Sequence, residues 1–285
     1  MHPPTILDIE LLEGRVKNRN FAVCLAHNGG QLSFGNMNDS LHVGDSDKGV
    51  IDCSGADWRT QYHTSITNVK VGDTGLSYDF AKINQLGGLS SFDTGSTFVY
   101  LPFDMHTAFV EQFNRYCNSE SGNCGGQKSF INCFKYDEQD HGSLEAFFNT
   151  FPVITFIFKG DAEYKWYPSD YLSTPKDSSV VHCAVVKPYS KVILGATFMR
   201  NYDIQFDQTD KKIRFARANC GLGAGSPDPG NVFYTYDHQR VKAGGQKLDM
   251  TQTVSDAGYR FLVIYSGGVV LAVLVSFLCS RDRLN

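Results

Sequence analysis

The sequence predicts an all-β body with few short helices, followed by one transmembrane helix at the C-terminal end. Three observations carry this reading. Aromatic residues make up 13% of the 285, mostly Phe and Tyr, and 27 glycines punctuate them, a mixture that suits strands and turns better than a helical bundle. Short apolar runs recur between Gly- and Asn-rich breaks, whereas helical periodicity is confined chiefly to one stretch. Residues 261–280 carry no charge over the length that an α-helix needs to cross a hydrocarbon layer. The composition also excludes two classes: 42% hydrophobic and 20% charged residues with a net charge of −4 rule out wholesale disorder and a basic nucleic-acid-binding domain.

In chain order, the runs 20–26 and 31–34 flank Asn28-Gly29-Gly30, a hairpin signal. The alternating run 64–71 stops at Gly72-Asp73, and Gly87-Gly88 precedes a run that ends at Phe92. Further strands are expected at 97–101, 153–158, 164–167, 180–186, 203–206 and 212–216. One helix is expected near 105–117, where Phe109, Val110, Phe113 and Tyr116 share a side and Pro102 suits the entry. Residues 221–260 lose strong periodicity and gather Gly and Pro, which predicts a stalk; 261–280 form the span and 281–285 a short tail.

A run as apolar as 261–280, five residues from the end, has no later domain to pack against, so it is assigned to a lipid bilayer. Arg281 and Arg283 on one side and Lys242, Lys247 and Arg260 on the other leave its orientation open. The cysteines point further. Cys279 falls inside the span, and the other seven show no CxxC knuckles. A zinc set of Cys117, Cys124, Cys133 and His141 is therefore weaker than disulfides, which imply a lumenal or extracellular body and a short cytosolic tail. Asn38-Asp39-Ser40 is a glycosylation sequon in keeping with that compartment. Cys53 is left over. The first residues lack the apolar run of a signal peptide, so either the chain is a fragment or its topology is inverted.

Two Asp-Thr-Gly triplets are present. Asp73-Thr74-Gly75 ends an alternating run and precedes Leu76, which reads as a hairpin turn. Asp93-Thr94-Gly95-Ser96 instead lies between two apolar runs, where Gly allows close backbone approach and neighbouring hydroxyl and amide donors can orient a carboxylate. No HExxH, GxSxG or GxxxxGK[ST] motif offers a competing chemistry. His27, His63 and His182 are expected at the surface or in strands, and Trp58 and Trp166 in the core or a cleft wall.

Asp93-Thr94-Gly95-Ser96, the later Val192-Ile193-Leu194-Gly195 with Ala196 to Asp203, and Lys212-Ile213-Arg214-Phe215-Ala216 together resemble the C-terminal lobe of a pepsin-like aspartic protease. The resemblance covers roughly residues 3–220 and implies that Ile193, Leu194 and Gly195 pass beside the catalytic loop in a ψ-shaped arrangement. It implies Asp93 as catalytic, with Thr94, Gly95 and Ser96 supporting it. It also implies the pairs Cys133–Cys183 and Cys24–Cys220, with Cys117–Cys124 as a third. Among membrane-tethered relatives, which include the β-secretases, Tyr164 to Pro168 and Phe21 to Cys24 are most similar to the plasmepsin V type of protists. Residues 1–19 resemble the end of a first lobe, and 20–220 the second.

Such an enzyme needs no metal and no cofactor. Two close carboxylates share a proton, one activates water, and a peptide or protein substrate is cleaved. The second aspartate is expected from a missing N-terminal lobe, and this chain alone is expected to cleave poorly. Two further readings stand beside the endopeptidase: a non-catalytic, membrane-tethered module that binds peptides or proteins, and a homodimer in which two copies of Asp93 form one site.

Overall fold

In the computed structural model the described residues are 5–27, 29–45, 47–53, 62–85, 90–118, 124–125, 127–130, 133–174, 180–221 and 232–237. The expected span at 261–280 and Trp58 lie outside them. No helix among the described residues is long and apolar enough to cross a membrane. The chain forms two compact units, one of Met1–Tyr62 with Met199–Asn285 and one of His63–Phe198.

The first unit is built on six antiparallel strands in the order Val232–Asp237, Gly29–Phe34, Asn20–Ala26, Tyr202–Asp207, Lys212–Arg217 and Lys48–Asp52. Strand Val232–Asp237 falls in the stretch expected to be a stalk; it pairs along the whole of Gly29–Phe34. Of the two central strands, Asn20–Ala26 is a continuous apolar run and Tyr202–Asp207 shows the period of two that a sheet imposes. Along Tyr202–Asp207 the apolar Tyr202, Ile204 and Phe206 alternate with Asp203, Gln205 and Asp207, and all six are buried. Phe206 stacks on Phe21 at 4.9 Å and meets Tyr62 at 4.5 Å. Burying the polar side is tolerable only because each group is paired. Asp203 accepts from the Asn38 backbone N–H at 2.8 Å, Gln205 donates to Gly35 O at 3.2 Å, and Asp207 caps the 208–210 turn by accepting from the Thr209 and Asp210 N–H groups.

Helix Ile6–Leu12 opens with a reciprocal capping box between Thr5 and Asp8. Asn38, the sequon residue, is 2% exposed and caps the Asp39–Leu41 turn, its Oδ1 accepting from the Ser40 N–H and hydroxyl. Cys24 and Cys220 are disulfide-bonded, and their bridge packs with Leu41 and Ala218. The bond closes a loop with a sequence separation of 196. A Cys24→Ala, Cys220→Ala double variant is expected to lose about 2–4 kcal/mol of stability, read as a lower urea midpoint, through the released entropy of the unfolded chain. Cys53 is buried, with Sγ 3.7 Å from Ile51 O.

His42 adds a pH dependence to this unit. Its Nε2 lies 3.2 Å from Asp203 Oδ2 and its Nδ1 3.4 Å from Asp39 Oδ1. The hydrogen bond to the Asp203 carboxylate holds His42 above its ordinary value, and burial pushes Asp203 up. Both groups therefore hold protons more tightly in the folded chain. The contribution of His42 is fully present below its ordinary value of about 6.5 and is lost as pH rises through the raised value. We expect the urea midpoint to fall between pH 6 and pH 8 more steeply in the wild type than in His42→Gln; parallel curves would leave His42 with no part in it.

Among the described residues the second unit holds three sheets. In one, Val186–Tyr189, Val99–Pro102, Ile193–Leu194 and Ser90–Phe92 follow one another, mixing parallel and antiparallel pairs. Glu163–Trp166, Ile154–Phe158, Ile66–Val71 and Thr74–Gly75 form an antiparallel second, and Leu172–Ser173, Val181–Ala184, Cys133–Lys135 and Gln127–Phe130 a third. The expected helix spans Phe103–Cys117, entered from Pro102, and buries Met105, Phe109, Gln112 and Phe113. Its end is tied by Cys117–Cys124, while Cys133–Cys183 bridges directly opposed strands. These bonds consume three members of the alternative zinc set.

Three fully buried aromatics order the core, each with its polar tip satisfied. Trp166 Nε1 donates to Thr197 O at 2.9 Å, Tyr164 Oη to Phe198 O at 2.7 Å, and Tyr171 Oη to Pro152 O at 2.7 Å. Phe198 stacks on Tyr164 at 4.3 Å and meets Phe156 edge-on at 4.9 Å. The segment that follows Gly195 is thereby fixed against the second sheet. Tyr164 and Trp166, which carried the similarity to one protist type, serve this packing.

Candidate active site

Asp93 stands where the Ser90–Phe92 strand ends. Phe92 is buried and wedged between Phe158 at 6.0 Å and Phe198 at 5.7 Å, so the strand cannot slide. Strand Ile193–Leu194 lies parallel to it, pairing Ile193 with Ser91 and Leu194 with Phe92, and at the same time antiparallel to Val99–Pro102. The Asp93 N–H donates to Leu194 O at 3.0 Å and the Ser91 N–H to Val192 O at 3.2 Å. The two-residue strand Ile193–Leu194 is thus threaded between the strands entering and leaving the loop, where the resemblance implies a ψ-shaped crossing.

The loop itself is held by local turn chemistry. The Gly95 N–H donates to Asp93 Oδ1 at 2.9 Å, the Ser96 hydroxyl donates to Oδ2 at 2.8 Å, and the Ser96 N–H closes the turn on Asp93 O at 3.1 Å. Each carboxylate oxygen thus has one lone pair engaged, which sets the plane of the group and leaves the others for a water or a substrate. Asp93 is half-buried and Gly95 exposed, so the carboxylate is reachable.

Gly195 is required by close approach. A Cβ there would sit 2.3 Å from Phe98 O and 2.6 Å from Ser96 O, both backbone atoms that cannot swing away. Beyond it the Ala196 N–H donates to Ser96 O at 2.7 Å, and the Thr197 N–H and hydroxyl both donate to Thr97 O, at 3.0 and 2.9 Å. Thr197 braces the loop through its N–H and hydroxyl and Thr97 through its backbone carbonyl, roles that sequence reasoning did not single out.

Thr94 differs from its neighbours. Its Oγ1 is buried and has no hydrogen-bond partner among the described residues. A buried hydroxyl left unsatisfied is costly, so its place beside the oriented Asp93 carboxylate is informative.

The other Asp-Thr-Gly triplet behaves as a hairpin turn. Val71 pairs with Thr74, Gly72 takes φ +59°, and Asp73 is exposed. The structure therefore brings together Asp93, Thr94, Gly95 and Ser96 with Ile193, Leu194 and Gly195, and leaves Asp73 in the second sheet. Among the described residues no group of three or more His, Cys, Asp or Glu side chains is placed to hold a metal ion.

A family model described as Xylanase inhibitor C-terminal matches residues 61–217, more than half of the chain. Among curated proteins the chain is similar to Aspartyl protease family protein 1 of Arabidopsis thaliana, 24% identical over 223 residues that make up 74% of this chain and 37% of that protein. It is also similar to Aspartic proteinase sxa1 of Schizosaccharomyces pombe, 23% identical over 276 residues, or 89% of this chain and 45% of that protein. The chain spans less than half the length of these two relatives.

Proposed function

We propose, from the premise that this chain belongs to the Xylanase inhibitor C-terminal family and is the C-terminal lobe of a pepsin-like aspartic protease, that it supplies half of an endopeptidase site acting on peptides or proteins. The observation that carries this is the Asp93 carboxylate, oriented through both oxygens by its own turn and reachable, beside a buried Thr94 hydroxyl that still lacks a partner. A second lobe with its own aspartate would complete the pair. One carboxylate would take a proton from the water between them while the other gives its proton to the peptide carbonyl oxygen. Water oxygen bonds to the carbonyl carbon, and collapse of the tetrahedral adduct with proton transfer to nitrogen breaks the C–N bond. Both steps need two carboxyl groups in opposite protonation states.

The uncharged run 261–280 and the three disulfides support a reading in which the body is tethered to a membrane from the lumenal or extracellular side. One observation favours a second reading, peptide or protein binding without cleavage: the matching family model takes its name from an inhibitor.

The test compares the 285-residue chain with the longest product of its natural transcript, on a quenched peptide library at mildly acid pH with and without pepstatin. The endopeptidase reading expects pepstatin-sensitive cleavage by the longer product and at most about 1% of it by the chain alone. Specific peptide binding without cleavage by the longer product selects the binding module. Activity of the chain alone that grows with the square of its concentration marks two copies sharing a site.

A further inference from the structure

The third sheet of the His63–Phe198 unit buries an imidazole that the hydrolytic site does not use. His182 lies on strand Val181–Ala184, opposite Phe134 and next to the Cys133–Cys183 bridge. It is 4% exposed. Tyr136, Phe147 and Phe148 enclose its ring with centroids at 6.4, 5.4 and 5.3 Å. Its Nε2 is buried and has no hydrogen-bond partner among the described residues.

Among the described residues, the ionisable groups on the elements packed there supply no acceptor to Nε2. Lys135 ends the neighbouring strand, and Tyr136 donates its hydroxyl to Gly142 O. Asp137, Glu138, Asp140 and His141 lie in the turn and short helix that follow, with His141 Nδ1 2.7 Å from Asp137 O. Glu145 is on helix Leu144–Phe148, which carries both phenyl rings. Burial pushes His182 below its ordinary value.

A neutral imidazole can leave one ring nitrogen as a bare lone pair in such a box. The imidazolium must carry an N–H on both nitrogens, so protonation places a cationic donor with no acceptor among aromatic rings. We propose that His182 is an acid-responsive latch: neutral, it lets strands Cys133–Lys135 and Val181–Ala184 close against helix Leu144–Phe148; protonated, it loosens them while the disulfide keeps the strands joined. Because the folded state prefers the neutral ring, this packing is at full strength above about pH 6.5 and weakens as pH falls toward the depressed value of the folded chain. The latch makes no use of Asp93 and does not depend on cleavage.

Amide hydrogen exchange of the whole chain at pH 7 and pH 5, with rates corrected for intrinsic chemistry, tests it. In the wild type the amides of Phe134, His182 and Ala184 should lose about tenfold in protection at pH 5, while those of strand Asn20–Ala26 keep theirs. In His182→Phe, which fills the box without titrating, the loss should vanish. Unchanged protection in the wild type, or the same loss in the variant, overturns the proposal. Should His182→Phe not fold, an NMR titration of the wild-type ring decides: a midpoint below the ordinary value of about 6.5 upholds the latch and one at or above it overturns it.

Discussion

Asp93→Asn is expected to lower kcat of the longest natural product by about 10^3- to 10^4-fold while leaving KM within a few-fold. The substitution is nearly isosteric. The Gly95 N–H can still reach Oδ1 and the Ser96 hydroxyl can turn to accept from the new amide, so the turn that holds the side chain survives. What is lost is the ability to take up and release a proton, a step made in the transition state and not in substrate binding. Steady-state kinetics with a pepstatin-sensitive peptide would check it, with Asp73→Asn as the control, because Asp73 occupies an exposed hairpin turn. A rate within tenfold of the wild type for Asp93→Asn would remove Asp93 from the reaction. An equal loss in Asp73→Asn would show that the two triplets had been assigned the wrong way round.

Gly195→Ala should destabilise the His63–Phe198 unit by about 4 kcal/mol, the upper end for a single substitution. The added methyl has nowhere to go, since the atoms at 2.3 and 2.6 Å are the carbonyl oxygens of Phe98 and Ser96. Ser96 O is itself bound to the Ala196 N–H at 2.7 Å, so relief would have to break the ladder that braces the loop. The urea midpoint, followed by near-ultraviolet circular dichroism from the buried Trp166, should drop sharply, and any cleavage should be lost with it. A midpoint shift corresponding to less than about 1 kcal/mol would mean that the strand crossing is looser than these distances imply.

The parts of the site that could be read from the sequence are those governed by local chemistry. The Asp93 turn is defined by its own glycine and hydroxyls, and helix Phe103–Cys117 by its periodicity and its proline entry. All three disulfides followed from the family resemblance of the sequence. Strand Asn20–Ala26 was legible to the residue, because its pairing on both sides preserves a continuous apolar run. Two other runs were not legible as they stand. The run 64–71 breaks at Ser65, whose carbonyl accepts from the Lys159 N–H, and the run 180–186 breaks at Val185. At Val185 the chain changes partners: its N–H donates to Tyr171 O and its carbonyl accepts from the Val99 N–H, moving it from the third sheet to the first. Apolarity is unaffected by such a switch, so no pattern of residues records it. Strand Lys48–Asp52 was missed because only Ile51 of its five residues is buried. Strand Val232–Asp237 was outweighed by the Gly and Pro residues around it. The unpartnered hydroxyl of Thr94 could not be foreseen at all, since partnership is a property of what surrounds a residue.

The bracing of the Asp93 turn has a consequence for the timing of biosynthesis. Its supports come from far along the polypeptide: the Thr197 hydroxyl reaches Thr97 across 100 positions. A ribosome adding about 5–20 residues each second therefore exposes the turn for several seconds before its clasp has been made. Contacts so distant in sequence form slowly, because a long loop must close first. The part of the molecule best suited to chemistry is thus among the last to be organised, and a nascent chain halted before Gly195 would display the aspartate on an unsupported ribbon.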